Sequence, residues 1–299
     1  MSTSGNITPG GPRPGAFRHS LTGAVLAAPI TTLMIVGYVL PCLLMLAVSL
    51  GGPVGAWPLQ APLDFSKYGE MVRSAFLWRV LGFTLLVSVA VAILNAVLAY
   101  PMALYLARSN SKWTGLVFLV AFTPLAVGMN MMTIGWLIML GKNGVINFAL
   151  QAVGLTAGPV PLVYGLVAVV IGLAHISFTF MLLPIESVLR SIDPAIERAS
   201  RSLGAPPWKT FLTVTLPLSW EGIAAGMLIV FMQSCGAFVI PLLLGGSSTV
   251  MLPVAIWEQM TVANDRAAGA ALATILAGIS LLVLAIQLRF FNPKRRVAQ

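Results

Sequence analysis

An all-α membrane protein with six transmembrane helices and both termini in the cytoplasm is the fold class this sequence predicts, on three observations. First, 58% of the 299 residues are hydrophobic and only 8% charged, and the mean hydropathy is +0.95, whereas soluble domains carry about 25% charged residues. Second, six apolar runs each reach the roughly 18 residues that a helix needs to cross a hydrocarbon core about 30 Å thick. The runs do not alternate, so their backbone hydrogen bonds close within helices and not around a barrel. Third, with the N-terminus inside, twelve of the 17 Lys and Arg fall on the cytoplasmic side, leaving Lys67, Arg73, Arg79, Lys142 and Arg266 outside. That asymmetry sets the orientation. It also accounts for the excess of bases over the 8 acids. Because no basic patch is interleaved with aromatics, it argues against a nucleic-acid partner.

Taken in order, residues 1–20 are rich in Ser, Gly and Pro and read as a disordered cytoplasmic tail. Residues 21–292 form the transmembrane domain. Its first run, Leu21–Leu50, is too long for the core of a cleaved signal peptide and stays as an anchor. In the outer segment Gly51–Arg79, Pro53, Pro58 and Pro62 prevent a continuous helix, and Trp57 and Trp78 suit the interfacial belt. Val80–Ala107 and Trp113–Leu140 follow, joined by the minimal inner link Arg108–Lys112. The outer segment GKNGVINFALQAVGLTAGPVP opens on a turn and spaces Val145, Phe148 and Val153 as a short amphipathic helix at the membrane surface. Leu162–Leu189 is the fourth run and Leu218–Leu244 the fifth. Outside again, Gly245–Arg266 sets Leu252, Ile256 and Met260 at i, i+4 and i+8. These outer connections either cap the bundle or dock a partner. Ala267–Phe291 is the last run, and residues 293–299 are a basic cytoplasmic tail. Cys42 and Cys235 lie inside runs with no CxxC, so they pack as small apolar residues and imply no disulfide.

The inner link at residues 190–217 is longer and more polar than the rest. Asp193-Pro194 is an N-cap followed by proline at the first helical position, and Ile196, Ala199 and Leu203 share one face until Gly204 ends the helix. After Pro206-Pro207, Trp208, Phe211, Leu212 and Thr215 fall at i, i+3, i+4 and i+7, and Leu216-Pro217 turns into the next run. Such a bent pair of basic helices either rests on anionic headgroups or docks a protein.

Gly204, nine residues and then Val214-x-Leu216-Pro217 resemble the EAA loop of ABC importer permeases, whose pattern is Glu-Ala-Ala, three residues, Gly, nine residues, Ile-x-Leu-Pro. In register with it, Arg198, Ala199 and Ser200 occupy the Glu-Ala-Ala positions. Arg198 replaces the glutamate, and Glu197 stands one position earlier, about 100° around the helix. GKNGVINFALQAVGL, FVIPLLLGGSSTVMLP and NDRAAGAALATIL resemble further segments of the family. The wording is closest to the spermidine/putrescine branch, and permeases for iron, thiamine, sulfate or opines share much of it. The resemblance implies a multi-pass permease in a bacterial plasma membrane, the inner membrane if Gram-negative. It implies an assembly with a second permease, two ATP-binding cassette ATPases and an extracytoplasmic solute-binding protein. Residues Glu197 to Ser200, Gly204, Trp208, Val214, Leu216 and Pro217 would then form the ATPase-coupling loop.

The residues exclude other chemistry. No GxxxxGK[ST] phosphate loop is present, since Gly141-Lys142 is followed by Asn143. His19 and His175 are the only histidines, and HExxH and GxSxG are absent, so no catalytic site, metal site or cofactor is expected. An intramembrane hydrolase is the alternative from a different class. His175 is either a hydrogen-bonded packing group or a pathway residue, and Glu186 and Glu221 either snorkel or line a path. For a solute path the candidates are Asn95, Asn130, Gln233 and Ser234 within the runs and Glu258 outside. Gln233-Ser234 stands beside the small pair Cys235-Gly236, which admits close approach of a ligand or of a neighbouring helix.

Overall fold

The computed structural model describes residues 16–50, 65–109, 111–247 and 249–290. The expected tail at 293–299, most of the tail at 1–20, and Pro53, Trp57, Pro58 and Pro62 lie outside them. The described residues are helical, with no strand among them. Helix α1 (Ala16–Ser49) begins ahead of the expected Leu21 and packs along the last helix, leaving its apolar side chains from Ile30 to Leu46 exposed. Cys42 is on this exposed surface and not in packing, unlike the buried Cys235. Helix α2 (Ser66–Arg73) ties one end of the bundle together: the Ser49 and Tyr68 hydroxyls are 2.6 Å apart, and Lys67 pairs with Asp265 at 3.1 Å.

Helix α3 (Ala75–Arg108) starts on a Ser74 cap and runs unbroken through the second apolar run. The third run is two helices, α4 (Thr114–Val127) and α5 (Met129–Leu140), parted at Gly128. Helix α6 (Val145–Ala152) is the short helix expected there, with Val145, Phe148 and Val153 exposed as the spacing predicts. Helix α7 (Leu166–Ser191) is the fourth run. Helices α8 (Pro194–Ser202) and α9 (Pro207–Thr210) form the link after it. A π turn, Phe211–Thr215, and the short α10 (Leu216–Leu218) then lead into α11 (Trp220–Cys235) across a 61° bend. The fifth run also breaks, resuming as α12 (Val239–Leu244). Helix α13 (Leu252–Trp257), a second π turn (Glu258–Val262) and α14 (Arg266–Phe290) complete the chain. Five helices are long and apolar enough to cross a membrane, or six if the bent pair is one span.

The core is the mutual packing of α3, α7 and α11. Lipid is as apolar as leucine, so such helices associate through close packing and interhelical hydrogen bonds. Both are present. Asn95 donates to Ser177 at 3.0 Å, Thr179 to the Ala121 carbonyl at 2.6 Å and Gln287 to the Ala224 carbonyl at 2.8 Å. On α11, Gly222 and Gly226 are four apart and face α7. A Cβ at Gly222 would stand 2.7 Å from the Pro184 carbonyl oxygen and 3.0 Å from the Ile185 Cα. Because backbone cannot yield as a side chain tip does, Gly222→Val forces the two helices apart at a cost of about 1–3 kcal/mol. Thermal unfolding of the detergent-purified protein should show that loss, while Gly82→Val, where nothing lies within 4 Å of the added Cβ, should leave the midpoint unchanged. Equal losses at both positions would refute the close-approach account.

Candidate functional site

The polar link is built from caps outward. Asp193 accepts from the Ala195 amide at 2.8 Å and Pro194 fills the first turn, so α8 starts where the Asp-Pro pair predicts. It ends on Gly204 at φ +86°, with the Gly204 amide donating to the Arg201 carbonyl at 2.9 Å and the Ala205 amide to the Ser200 carbonyl at 3.3 Å. Those two bonds satisfy carbonyls at the helix end and redirect the chain into α9. The Ser200 and Thr210 hydroxyls, 3.1 Å apart, then hold α8 against α9.

The face expected of Trp208, Phe211, Leu212 and Thr215 is split. The π turn inserts an extra residue into the helical repeat, so Phe211 and Thr215 turn inward while Trp208 and Leu212 remain exposed. Inside, the Phe211 ring meets Tyr100 edge-on at 5.5 Å, and the Tyr100 and Ser219 hydroxyls are 2.8 Å apart. Outside, Leu203 is 89% exposed and Trp208 66%, joined by Ile196, Arg198, Ala199, Arg201 and Lys209. Val214 and Leu216 are half-buried and Pro217 is exposed.

Glu197 does not join that outer face. One of its carboxylate oxygens accepts from Arg108 Nη2 at 2.9 Å and from the Thr215 hydroxyl at 3.2 Å. Arg108 Nη1 donates to the Ile192 carbonyl at 3.0 Å, so the arginine at the end of α3 grips both the start of the link and its carboxylate. The two side chains are 21% and 15% exposed, at the edge of a cavity of about 520 Å³ also lined by Leu104, Arg201, Trp208 and Phe211. Sequence reasoning missed Arg108 and Thr215. Glu186 pairs with Arg190, whose guanidinium also donates to the Leu106 carbonyl at 3.2 Å.

At the opposite end, Asn147 is fully buried and fastens the loop after α5. Its amide donates to the Gly141 and Val160 carbonyls at 2.9 and 3.0 Å, and its oxygen accepts from the Val160 amide at 2.8 Å. Asn147 lies in the segment GKNGVINFALQAVGL, whose resemblance to the family was the sequence signal here. Asp265 accepts from the Ala268 amide and from Lys67, which hold its carboxyl below the usual aspartate range. Leu252 is buried, and its amide donates to the Thr84 hydroxyl at 2.8 Å. Met260 lies where a Cβ on Gly269 would touch it, at 2.4 Å. The Leu252, Ile256 and Met260 face therefore caps the bundle.

The path candidates are dispersed. Asn95 and Ser234 are buried in the core seam, Gln233 is half-buried, Asn130 is exposed just past the Gly128 break, and Glu258 opens the second π turn half-buried. No side-chain hydrogen bond joins these five among the described residues. Asn95 Oδ1, Gln233 Oε1 and Ser234 Oγ are buried without a hydrogen-bond partner. Past Gln233, the break in the fifth run brings the Phe238 ring to 6.0 Å from Trp257, the neighbour of Glu258. His175 accepts from Trp136 Nε1 at 2.8 Å, the packing arrangement. Among the described residues no cluster of His, Cys, Asp or Glu could hold a metal ion.

Comparison with known proteins places these features in a family. Residues 99–297 match the family described as binding-protein-dependent transport system inner membrane component. The chain is 26% identical over 265 residues to the spermidine/putrescine transport system permease protein PotB of Haemophilus influenzae, covering 89% of this chain and 92% of that one. It is 32% identical over 201 residues to PotB of Escherichia coli, 66% of this chain and 73% of that one. A bacterial alginate ABC transporter, solved in complex with an alginate pentasaccharide-bound periplasmic protein, has a chain of the same fold. That match has a TM-score of 0.75 at 18% identity, over 95% of this chain and 97% of that one.

Proposed function

The chain belongs to the binding-protein-dependent transport system inner membrane components, as a permease subunit of an ABC importer in the bacterial plasma membrane, and on that premise we propose that it carries polyamines delivered by an extracytoplasmic binding protein. It is a transport subunit and not itself an enzyme. In this reading the termini and the α8–α9 link are cytoplasmic, and one of two ATPase subunits docks on that link. A second permease completes the path. ATP closes the ATPase pair, the link moves as a body, and the α3–α7–α11 core reopens toward the binding protein.

One observation supports the cargo assignment: the Phe238 and Trp257 rings meet past the break in the fifth span, and Glu258 follows Trp257 in the chain at the start of the second π turn. Glu258 has no ion-pair partner among the described residues. Aromatic faces and a carboxylate are the groups that receive a flexible organic cation. The names of the relatives supply the same class of solute.

The test is uptake by vesicles holding the whole complex. Labelled spermidine and putrescine should enter on ATP addition and compete with each other. Glu258→Gln, which removes a charge-assisted hydrogen bond of about 1.5–3 kcal/mol, should raise KM for both by roughly tenfold or more. Transport of sulfate with no competition by either amine would overturn the cargo and leave the importer assignment standing.

A further inference from the structure

A docking face can be read for the charge of its partner once its own acids are accounted for. On and beside the α8–α9 link three acids are engaged: Glu197 by Arg108 and Thr215, Glu186 by Arg190, and Asp193 by the Ala195 amide it caps. The bases are not. Arg198, Arg201 and Lys209 are exposed, and among the described residues none is in an ion pair. The same link also exposes Leu203, Trp208, Ile196 and Leu212, so it presents apolar side chains and unpaired bases together, the two components of a docking interface. Arg198 occupies the position where the resembled motif has glutamate, so the charge is reversed in sign there.

We propose that the ATPase surface that receives α8 and α9 is acidic, with carboxylates facing Arg198, Arg201 and Lys209 around an apolar socket for Leu203 and Trp208. The inference rests on the reading that these helices dock the ATPase. Sequestering Glu197 against Arg108 is what makes the face uniformly basic. A carboxylate pointing outward would break that uniformity and favour a partner of mixed charge. Exposed interface charges steer encounter and select partners, and salt screens them.

Permease in nanodiscs is titrated with the ATPase subunit purified from its native complex, at about 50 and 500 mM salt. Wild-type association should weaken with salt. Arg198→Glu with Arg201→Glu should weaken it roughly tenfold at low salt and much less at high salt, and reversing an acidic residue on the ATPase should restore binding to the doubly substituted permease. Leu203→Asp tests the underlying reading: if it leaves the ATPase bound, α8–α9 is not the docking site. If Leu203→Asp releases the ATPase while the double reversal does not weaken it, the docking site stands and the acidic-partner inference falls. Nanodiscs of purely neutral lipid decide the remaining case, because a charge effect confined to anionic nanodiscs would assign the bases to the membrane and overturn the proposal.

Discussion

Gly204→Val abolishes solute uptake while the protein still inserts into the membrane. Gly204 sits at φ +86° with nothing within 4 Å of an added Cβ, so the penalty is one of backbone conformation and not of space. A β-branched residue there costs about 1–2 kcal/mol. The chain escapes that cost by leaving the left-handed region, which breaks the Ala205-to-Ser200 hydrogen bond and swings α9 away from α8. Phe211 and Thr215 then lose Tyr100 and Glu197, and the proposed docking face is dismantled although every side chain on it is retained. Uptake in vesicles should fall to background and ATPase co-purification should drop. Asparagine, which tolerates the left-handed region, should keep part of both. Valine with wild-type uptake and ATPase retention would show that the link does not couple.

Arg108→Gln is the second large effect. Glu197 would remain mostly buried with only Thr215 as partner, and breaking a buried pair by removing one member costs about 3–5 kcal/mol. The Ile192 contact goes as well, freeing the link from α3. Thermal unfolding of the purified protein should show a loss of that order for Arg108→Gln alone. Adding Glu197→Gln should recover most of it, since two neutral amides can bond each other without an uncompensated charge. Additive losses in this double-mutant cycle would mean that the two side chains act independently.

The pattern of what sequence disclosed has physical causes. Six apolar runs were legible because a membrane demands length and hydropathy, and both survive any local irregularity. For the same reason the breaks at Gly128 and after Cys235 were hidden: the apolar runs continue through them. The caps of α8 were legible from Asp193-Pro194 and Gly204, which act on neighbouring backbone. The pairing of Arg108 with Glu197 was not, the two being 89 residues apart and joined only once α3 and α7 pack. The face of Trp208 and Phe211 was misjudged because a 3.6-residue template was laid over a π turn. Of the path candidates only Asn95 bonds across to a neighbouring helix among the described residues, through Ser177; Asn130 is exposed, and Gln233 and Ser234 each keep a buried oxygen without a partner.

The π turn at Phe211–Thr215 also bears on how this region tolerates insertion and deletion. Such a turn is an α-helix with one residue too many, the geometry that a single-codon insertion leaves behind. Removing one residue between Phe211 and Thr215 would restore the regular repeat and rotate everything before it by about 100°. Trp208 and Lys209 would then aim in a new direction on an otherwise unchanged bundle. At this position one residue therefore separates two orientations of the proposed docking surface, a geometric switch that the π turn alone provides.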